Sequence, residues 1–430
     1  ALHSQILIAL WNGLPPAQPA GTAQIVSFKR QGIPVAGSRT VKLLDPAESG
    51  PVYHVVTPRL SNHETRGEPF SMQRLYHDRL TPTEGQALYS KIYGEINRFN
   101  ADVLVHMPGL VKELQTNKGY VLSDADLALL PPGIADTLQY YGIADTLAMH
   151  YQTLRRRMLT SMFVLALLGV FAFNLYSNMS ITMALIAYPV LMGLAGTLYM
   201  VARCGHYQDR HLEYRALAEA LRVLIFWRIL GVTNGVTDYY LERQRTELEW
   251  IRNAIRSVSM YAEGLPPRLP DERQRDMSLV RDRWILDQRK YYQKSTDRRK
   301  ATSRKLGRWA FIIYSIGMAV AMGLVILDRL VPEMDFWAHQ SLVIMVGFAP
   351  VLVAVLDSYV DKMAIAEEAR QFVQAYSRFQ QAAARINESI AAGDVEDARS
   401  VALELGQEAL REHGAWVMLH RERPLTPSRF

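Results

Sequence analysis

The chain has 430 residues, 49% of them hydrophobic, and 48 Lys and Arg against 42 Asp and Glu give a formal net charge of +6. A single cysteine, Cys204, excludes an internal disulfide and any cysteine-built metal site. The length allows two or three domains, and the mean hydropathy of −0.04 averages unlike parts, because long apolar runs alternate with charged helical stretches.

The opening segment Gln5–Trp11 carries the apolar run Ile6, Leu7, Ile8, Ala9 and Leu10, of the kind that fills a parallel strand buried on both faces. Asn12-Gly13 and a loop with Pro15, Pro16 and Pro19 follow. Ala20-Gly21-Thr22 then opens a helix over Ala23–Gln31, and Gly32-Ile33-Pro34-Val35 returns the chain to a strand. A glycine ahead of a helix N-terminus lets the backbone approach a phosphate, and the unpaired N–H groups there favour an anion. The same glycine can serve loop geometry alone.

The pattern Ile6-Leu7-Ile8-Ala9-Leu10-Trp11-Asn12-Gly13, followed by Gly21-Thr22-Ala23-Gln24-Ile25-Val26, resembles the second half of a SLOG domain, a Rossmann-like nucleotide sensor related to the LOG nucleotide phosphoribohydrolases. The resemblance implies a nucleotide-derived signalling ligand and no other cofactor, with its phosphate at Gly21 and Thr22 and Asn12 nearby. Asn12 replaces the family's usual Asp, and Ala20 a second Gly. Ile25 stands where the hydrolases carry a Glu three residues after the Thr, so the resemblance implies binding, with no catalytic residue. A whole domain of this kind needs earlier strands. Residues 1–60 are therefore expected to be its C-terminal part, the N-terminal part being missing before Ala1.

From Arg39 to Pro69 the chain mixes Pro, Gly and Ser with a strand expected at Pro51–Thr57, and Ser71–Phe99 returns to helical spacing with a start at Thr83 and Glu84. Residues 61–132 are expected to be an ordered connector. From Ile134 onward, Leu138, Tyr141, Leu147, Tyr151 and Leu154 recur at helical spacing. Asp136, Asp145 and His150 share this helix, but a metal needs several convergent ligands and none is expected to bind.

Met158–Leu175 and Ile181–Val201 contain no charged residue and are separated only by Tyr176, Ser177, Asn178, Met179 and Ser180. A bilayer core takes about 20 apolar helical residues, and a charge at mid-depth costs roughly 2.5–3.5 kcal/mol. A second pair follows at Trp309–Leu327 and Trp337–Leu356. The alternative is four buried helices of a large soluble core, which seldom run so long without a charge. Each hairpin has a proline in its second span, Pro189 and Pro350, which points to two related units. Such a proline frees a carbonyl, for gating or for packing alone.

Arg155, Arg156 and Arg157 precede the first span, Arg203 follows the second, and Arg298, Arg299, Lys300, Arg304, Lys305 and Arg308 precede the third. The opposite connections carry no charge, or Asp328, Arg329, Glu333 and Asp335. By the positive-inside rule both ends and the central region are expected in the cytoplasm. The basicity then reads as a topology and headgroup signal, and no nucleic-acid partner is expected.

Between the hairpins, Arg210–Leu230 places Glu219 to pair with Arg215 and Arg222 at i,i+4 and i,i+3 spacing. These charges either dock helices or form a solvated face beside Leu217, Leu221 and Leu224. Leu241–Tyr261 continues as a charged amphipathic helix, Gly264–Pro270 breaks it, and Arg273–Arg308 is a long basic helix with Trp284, Tyr291 and Tyr292. Interleaved aromatics and bases can mark nucleic-acid binding, but a helix entering a span is better explained by headgroups and packing. Ser358–Ala392 and Val395–Glu412 complete the helices.

Three motifs, Ala218-Glu219-Ala220-Leu221-Arg222…Trp227, Trp284…Gln288…Tyr291 and Glu408-Ala409-Leu410-Arg411-Glu412…Trp416…Arg421-Glu422-Arg423-Pro424, resemble the SLATT-type transmembrane modules found beside SLOG sensors in bacterial conflict and antiphage systems. The expected fold class is mainly α. A four-transmembrane-helix module over 133–430, with cytoplasmic helices 204–262, 271–308 and 358–412, follows the C-terminal half of a Rossmann-like α/β (SLOG) domain. The expected function is a multi-pass effector of the bacterial inner membrane. A nucleotide-type small molecule would drive homo-oligomeric helices to open a pore lined by Asn174, Ser177, Asn178 and Thr182. A membrane-tethered nucleotide-processing enzyme and a ligand-free scaffold are the alternatives.

Overall fold

The computed structural model describes residues 4–15, 21–31, 49–60, 63–240, 248–262, 268–330 and 334–421. Strand β1, Leu7–Trp11, leads to helix α1, Thr22–Gln31, and then to β2, Val52–Val56, which lies parallel to β1 in the register Leu7↔Val52 to Trp11↔Val56. Parallel neighbours need a crossover. Here α1 lies in that connection and packs Val26 against Ala9 and Val52. The strand expected at Gly32–Val35 lies outside the described residues, as do Ala20, Arg423 and Pro424. Strand β3, Met72–Leu75, pairs antiparallel with β2, so the helical spacing read from Ser71 is overridden there by sheet pairing. The helix itself, α2 over Pro82–His106, starts where Thr81 and Glu84 form a reciprocal capping box. Helices α3, Val111–Val121, and α4, Asp124–Leu127, follow.

Four helices are long and apolar enough to cross a bilayer, and the chain reads as a membrane protein. The first span belongs to α5, Pro132–Met179, and the second to α6, Thr182–Cys204. The third belongs to α10, Asp287–Leu330, and the fourth to α11, Phe336–Lys362. Between 17% and 6% of each apolar window is buried. Val164, Phe173, Ile186, Phe311 and Met322 are exposed. Core helices of a soluble protein would bury these side chains, so the soluble alternative fails, and a bilayer is the medium that accommodates them.

The first hairpin turn is shorter than the sequence indicates. Helix α5 continues through Met179, and Ser180, at φ 54°, caps it in the left-handed region. Small residues let the spans approach: Gly169 of α5 faces Met192 of α6, and Gly317 of α10 faces Ala349 of α11. The two hairpins meet through α5 and α11, where Phe171 packs edge-on against Phe348 and Phe163 against Tyr359.

Both second spans end alike. After α6 the chain passes through His206 at φ 50° into α7, Tyr207–Ile229, and after α11 it passes through Ala364 at φ 50° into α12, Ile365–Ala392. Left-handed backbone at a residue other than glycine is costly, yet it occurs at the same place in both units. The first spans have no such break, because α5 and α10 run from the helical body directly into the hairpins. The repeat seen in the two prolines thus extends to α5–α6–α7 and α10–α11–α12.

Helix α7 is the centre of the body. Leu212, Tyr214, Leu221, Leu224, Phe226 and Trp227 are fully or almost fully buried, and a helix buried on every side must pair its charges. Around it lie α8, Glu249–Ser259, α9, Pro270–Val280, and α13, Val395–Arg421. Helix α13 is longer than the expected Val395–Glu412, so Trp416 and Arg421 are helical. A π-helical segment, Arg281–Leu286, joins α9 to α10 and stacks Trp284 on Phe226 with ring centroids 5.3 Å apart.

Candidate functional site

Asn12 follows β1 directly and Gly21 precedes α1, so the residues expected to meet a phosphate belong to the two ends of one β–α connection. Asn12 is buried; its Nδ2 donates to the Glu64 carbonyl and its Oδ1 accepts from the Leu14 N–H, both at 3.4 Å. Its side chain thus shapes this turn. Gly13, at φ 81°, is required there, because a Cβ would lie 2.9 Å from Arg66. The Gly21 carbonyl accepts from Gln24 and Ile25. A Cβ at Gly21 would meet nothing within 4 Å, and Thr22 is half-buried beside it. Ile25, at the position of the hydrolases' carboxylate, is exposed.

This unit is tied to the body through α2. Gln5 Nε2 donates to Ser257 Oγ on α8 at 3.0 Å, and the Tyr93 hydroxyl of α2 donates to the Gln5 carbonyl at 3.4 Å. Helix α2 in turn grips α7. Arg98 donates to Glu213 at 2.9 Å, and Asp102 accepts from Arg210 at 3.0 Å and from the Tyr214 hydroxyl at 2.6 Å. Arg210 lies one turn beyond the His206 break, so α2 holds the foot of the second span.

The four pore candidates sit at the turn of the first hairpin. Asn174 and Asn178 each donate to the carbonyl four residues earlier, at 3.1 and 2.9 Å. Asn174 also approaches Gly347 of α11, at the seam between the hairpins. Ser177 and Thr182 are exposed. Of the residues weighed for a metal, the Asp145 carboxylate accepts from Arg215, and His150 packs at a tilt against His106 with centroids 4.7 Å apart.

A cavity of about 280 Å³ opens inside the body. Helices α5 and α7 supply one side, α10 with the π segment and α12 the other, and α13 closes it. Each of the four spans therefore continues into a helix that lines the same cavity. Glu219 accepts from Arg215 at 2.6 Å and from Arg222 at 2.9 Å, and Arg222 also donates to the Tyr141 hydroxyl at 2.8 Å. The side chains of Arg215 and Glu219 lie deep in the body yet keep 24% and 17% of their surface accessible, because they face this space. Docking, and not a solvated face, is thus the outcome for these charges.

Burial pushes the Glu219 carboxyl up, and Arg215 and Arg222 outweigh it, holding the group well below 4.5. Burial drives the His413 imidazole down to about 4, so it is neutral at pH 7; its Nδ1 is 2.7 Å from the Tyr240 hydroxyl. Glu412, with Glu408 nearby, is pushed by burial to about 7. At the membrane end, Glu368 accepts from Arg299 of α10 at 2.5 Å and meets His420 and Trp416 of α13 at 3.1 and 3.3 Å. Buried Arg155 of α5 adds its charge to this group, so it is not a headgroup residue. Glu368 lies one turn beyond the Ala364 break.

Of the residues in the three motifs, Glu219, Arg222, Trp284, Gln288, Tyr291 and Trp416 line this cavity, whereas Trp227 packs against Gly406 and bonds to the Ala402 carbonyl. The cavity is not legible in the sequence, because its walls come from five helices and the π segment; the signal present was Glu219 flanked by Arg215 and Arg222 within the apolar stretch of α7. Comparison with family models, with curated proteins and with solved structures gives no match to this chain.

Proposed function

We propose that the chain is a bacterial inner-membrane effector of the antiphage or abortive-infection type, in which a SLOG-like unit senses a nucleotide-derived signal and oligomeric spans open a pore or disrupt the membrane. The observation that carries this reading is the continuity of all four spans with helices that line one cavity in the body. A ligand that favours one arrangement of those helices favours one arrangement of the spans by the same free energy, and a ligand indifferent to both shifts nothing. The path from Gly21 and Thr22 runs through α2 to Arg210 and Glu213 at the foot of the second span. The arginine asymmetry supports a body and both ends on the cytoplasmic side. Four spans enclose little room, so the reading requires a homo-oligomer, with Asn174, Ser177, Asn178 and Thr182 at its constriction.

The test is dye release from liposomes holding the purified chain, with a panel of nucleotides and cyclic nucleotides added on the side of the body. Release by one of them, lost in Gly21→Trp, is expected; a Cβ at Gly21 meets no described atom within 4 Å. Nucleotide turnover without release would establish the tethered enzyme instead. Absence of both would leave the scaffold and overturn the proposal.

A further inference from the structure

The cavity in the body has a chemistry of its own, separate from the turn at Gly21. Its 280 Å³ places it at the small end of ligand sites, which usually span about 300–1,000 Å³. Trp284, Tyr291, Tyr292, Phe372 and Trp416 supply aromatic walls. The arginines are already matched: Arg215 holds Asp145 and Glu219, Arg222 holds Glu219, and Arg299 holds Glu368, while a further lining carboxyl, Glu412, is raised to about 7 by burial and so resists giving up its proton. A phosphate would have to break these pairs and then face the freed carboxylates, while an organic cation would face three guanidinium groups. An uncharged occupant meets neither penalty.

Hydrogen-bonding capacity is nonetheless left over. Gln371 Oε1 and His413 Nε2 are buried without a hydrogen-bond partner among the described residues, and each such group costs about 1–3 kcal/mol. The His413 ring is held through Nδ1 by Tyr240 and carries no charge; neither its Nε2 nor Gln371 Oε1 opens onto the cavity as it stands, and the Gln371 amide reaches an occupant by turning about its terminal bond. Gln371 and His413 come from α12 and α13, while Gln288 on α10 adds a further amide to the lining. Amide and imidazole groups between aromatic faces are what the edge and the face of a heterocyclic base require.

We propose that this cavity binds an uncharged planar nitrogen heterocycle, a nucleobase or nucleoside, and that the occupant bridges the α5–α6–α7 and α10–α11–α12 units. It is a second site, independent of any phosphate bound at Gly21 and Thr22. Its occupancy biases the spans directly, since every wall but α13 continues into one.

The test is binding to the full chain in nanodiscs, read by calorimetry. The probes are adenine, guanine, cytosine and uracil, their nucleosides, and each nucleoside 5′-monophosphate. Saturable binding of at least one base or nucleoside is expected, with its monophosphate at least about tenfold weaker. Gln371→Leu weakens it about tenfold, the loss of roughly one buried hydrogen bond. Ala375→Phe, which fills the cavity, abolishes it, and Gly21→Trp leaves it unchanged. Should Ala375→Phe fail to fold, Gln371→Leu decides by itself. No binding by any base or nucleoside, equal binding of the monophosphate, or loss in Gly21→Trp with retention in Gln371→Leu would each overturn the proposal. Because Gly21→Trp separates the two sites, failure here leaves the proposed signal response standing, and the converse also holds.

Discussion

Replacing Glu219 with Gln keeps the side-chain shape and removes the charge that Arg215 and Arg222 share. Arg215 retains Asp145, whereas Arg222 retains the Tyr141 hydroxyl at 2.8 Å and the face of that ring and loses its ion-pair partner. Removing one partner of a buried ion pair costs about 3–5 kcal/mol, and the surviving Asp145 contact puts this case near the lower end, about 3 kcal/mol. At about 2 °C per kcal/mol for a large body, the melting temperature falls by about 6 °C. The assay is thermal unfolding of the purified chain in detergent, followed by circular dichroism. The pH dependence supplies a second check. Because the folded carboxyl is held below 4.5, its contribution is complete above pH 4.5 and is lost as the pH falls toward the folded value. The gap between the two proteins therefore narrows in acid. A Glu219→Gln variant melting within about 1 °C of the parent at pH 7, against the 6 °C estimated for the buried pair, would refute the reasoning.

Glu412 has the opposite sign. Its folded carboxyl is raised to about 7, chiefly by burial, so the stability gained from holding its proton is present below pH 4.5 and lost as the pH rises through 7. Glu412→Gln should melt above the parent at pH 8 and together with it near pH 4. Gly406 lies where a Cβ would enter the Trp227 indole, whose Nε1 donates to the Ala402 carbonyl at 2.8 Å; Gly406→Ala should cost about 1–3 kcal/mol by overpacking, read from the same melts. Ala364, left-handed at φ 50°, and Ala369, helical and buried, answer the same substitution differently. Ala364→Gly should hold or raise stability by up to about 1 kcal/mol, while Ala369→Gly should lower it by about as much.

The spans were legible in the sequence because length and absence of charge are the very properties a bilayer selects. Their ends were less so: Tyr176 to Met179 look like a loop in polarity, yet nothing in them stops a helix that already has momentum from α5, and the stop comes at Ser180. Gln5–Trp11 and the helix after Gly21 were readable from apolar runs and turn residues, but the expected burial of that strand on both faces was wrong: Ile8 and Leu10 are exposed, because α1 covers the face of Ala9 and not theirs. Met72–Leu75 was not, because its pairing with Val52–Val55 is set by a partner some 20 positions away. The expected phosphate turn could be located in sequence, but not the use of the Asn12 side chain inside it. Least visible was the cavity. Arg215, Glu219 and Arg222 carry the same local spacing whether solvated or docked, and the difference lies in Asp145, Tyr141 and the α10, α12 and α13 side chains that fold over them.

The central claim is that the two hairpins move relative to one another when the body receives its signal. The most direct measurement joins Phe171→Cys on α5 to Phe348→Cys on α11 in a Cys204→Ser background, using a short bis-methanethiosulfonate cross-linker, which forms reducible mixed disulfides with release of sulfinate, across a seam where the native rings are 5.2 Å apart. Dye release by the triggering nucleotide should be absent in the cross-linked protein and return on reduction. Release at the parental rate while the seam is still cross-linked would contradict the account.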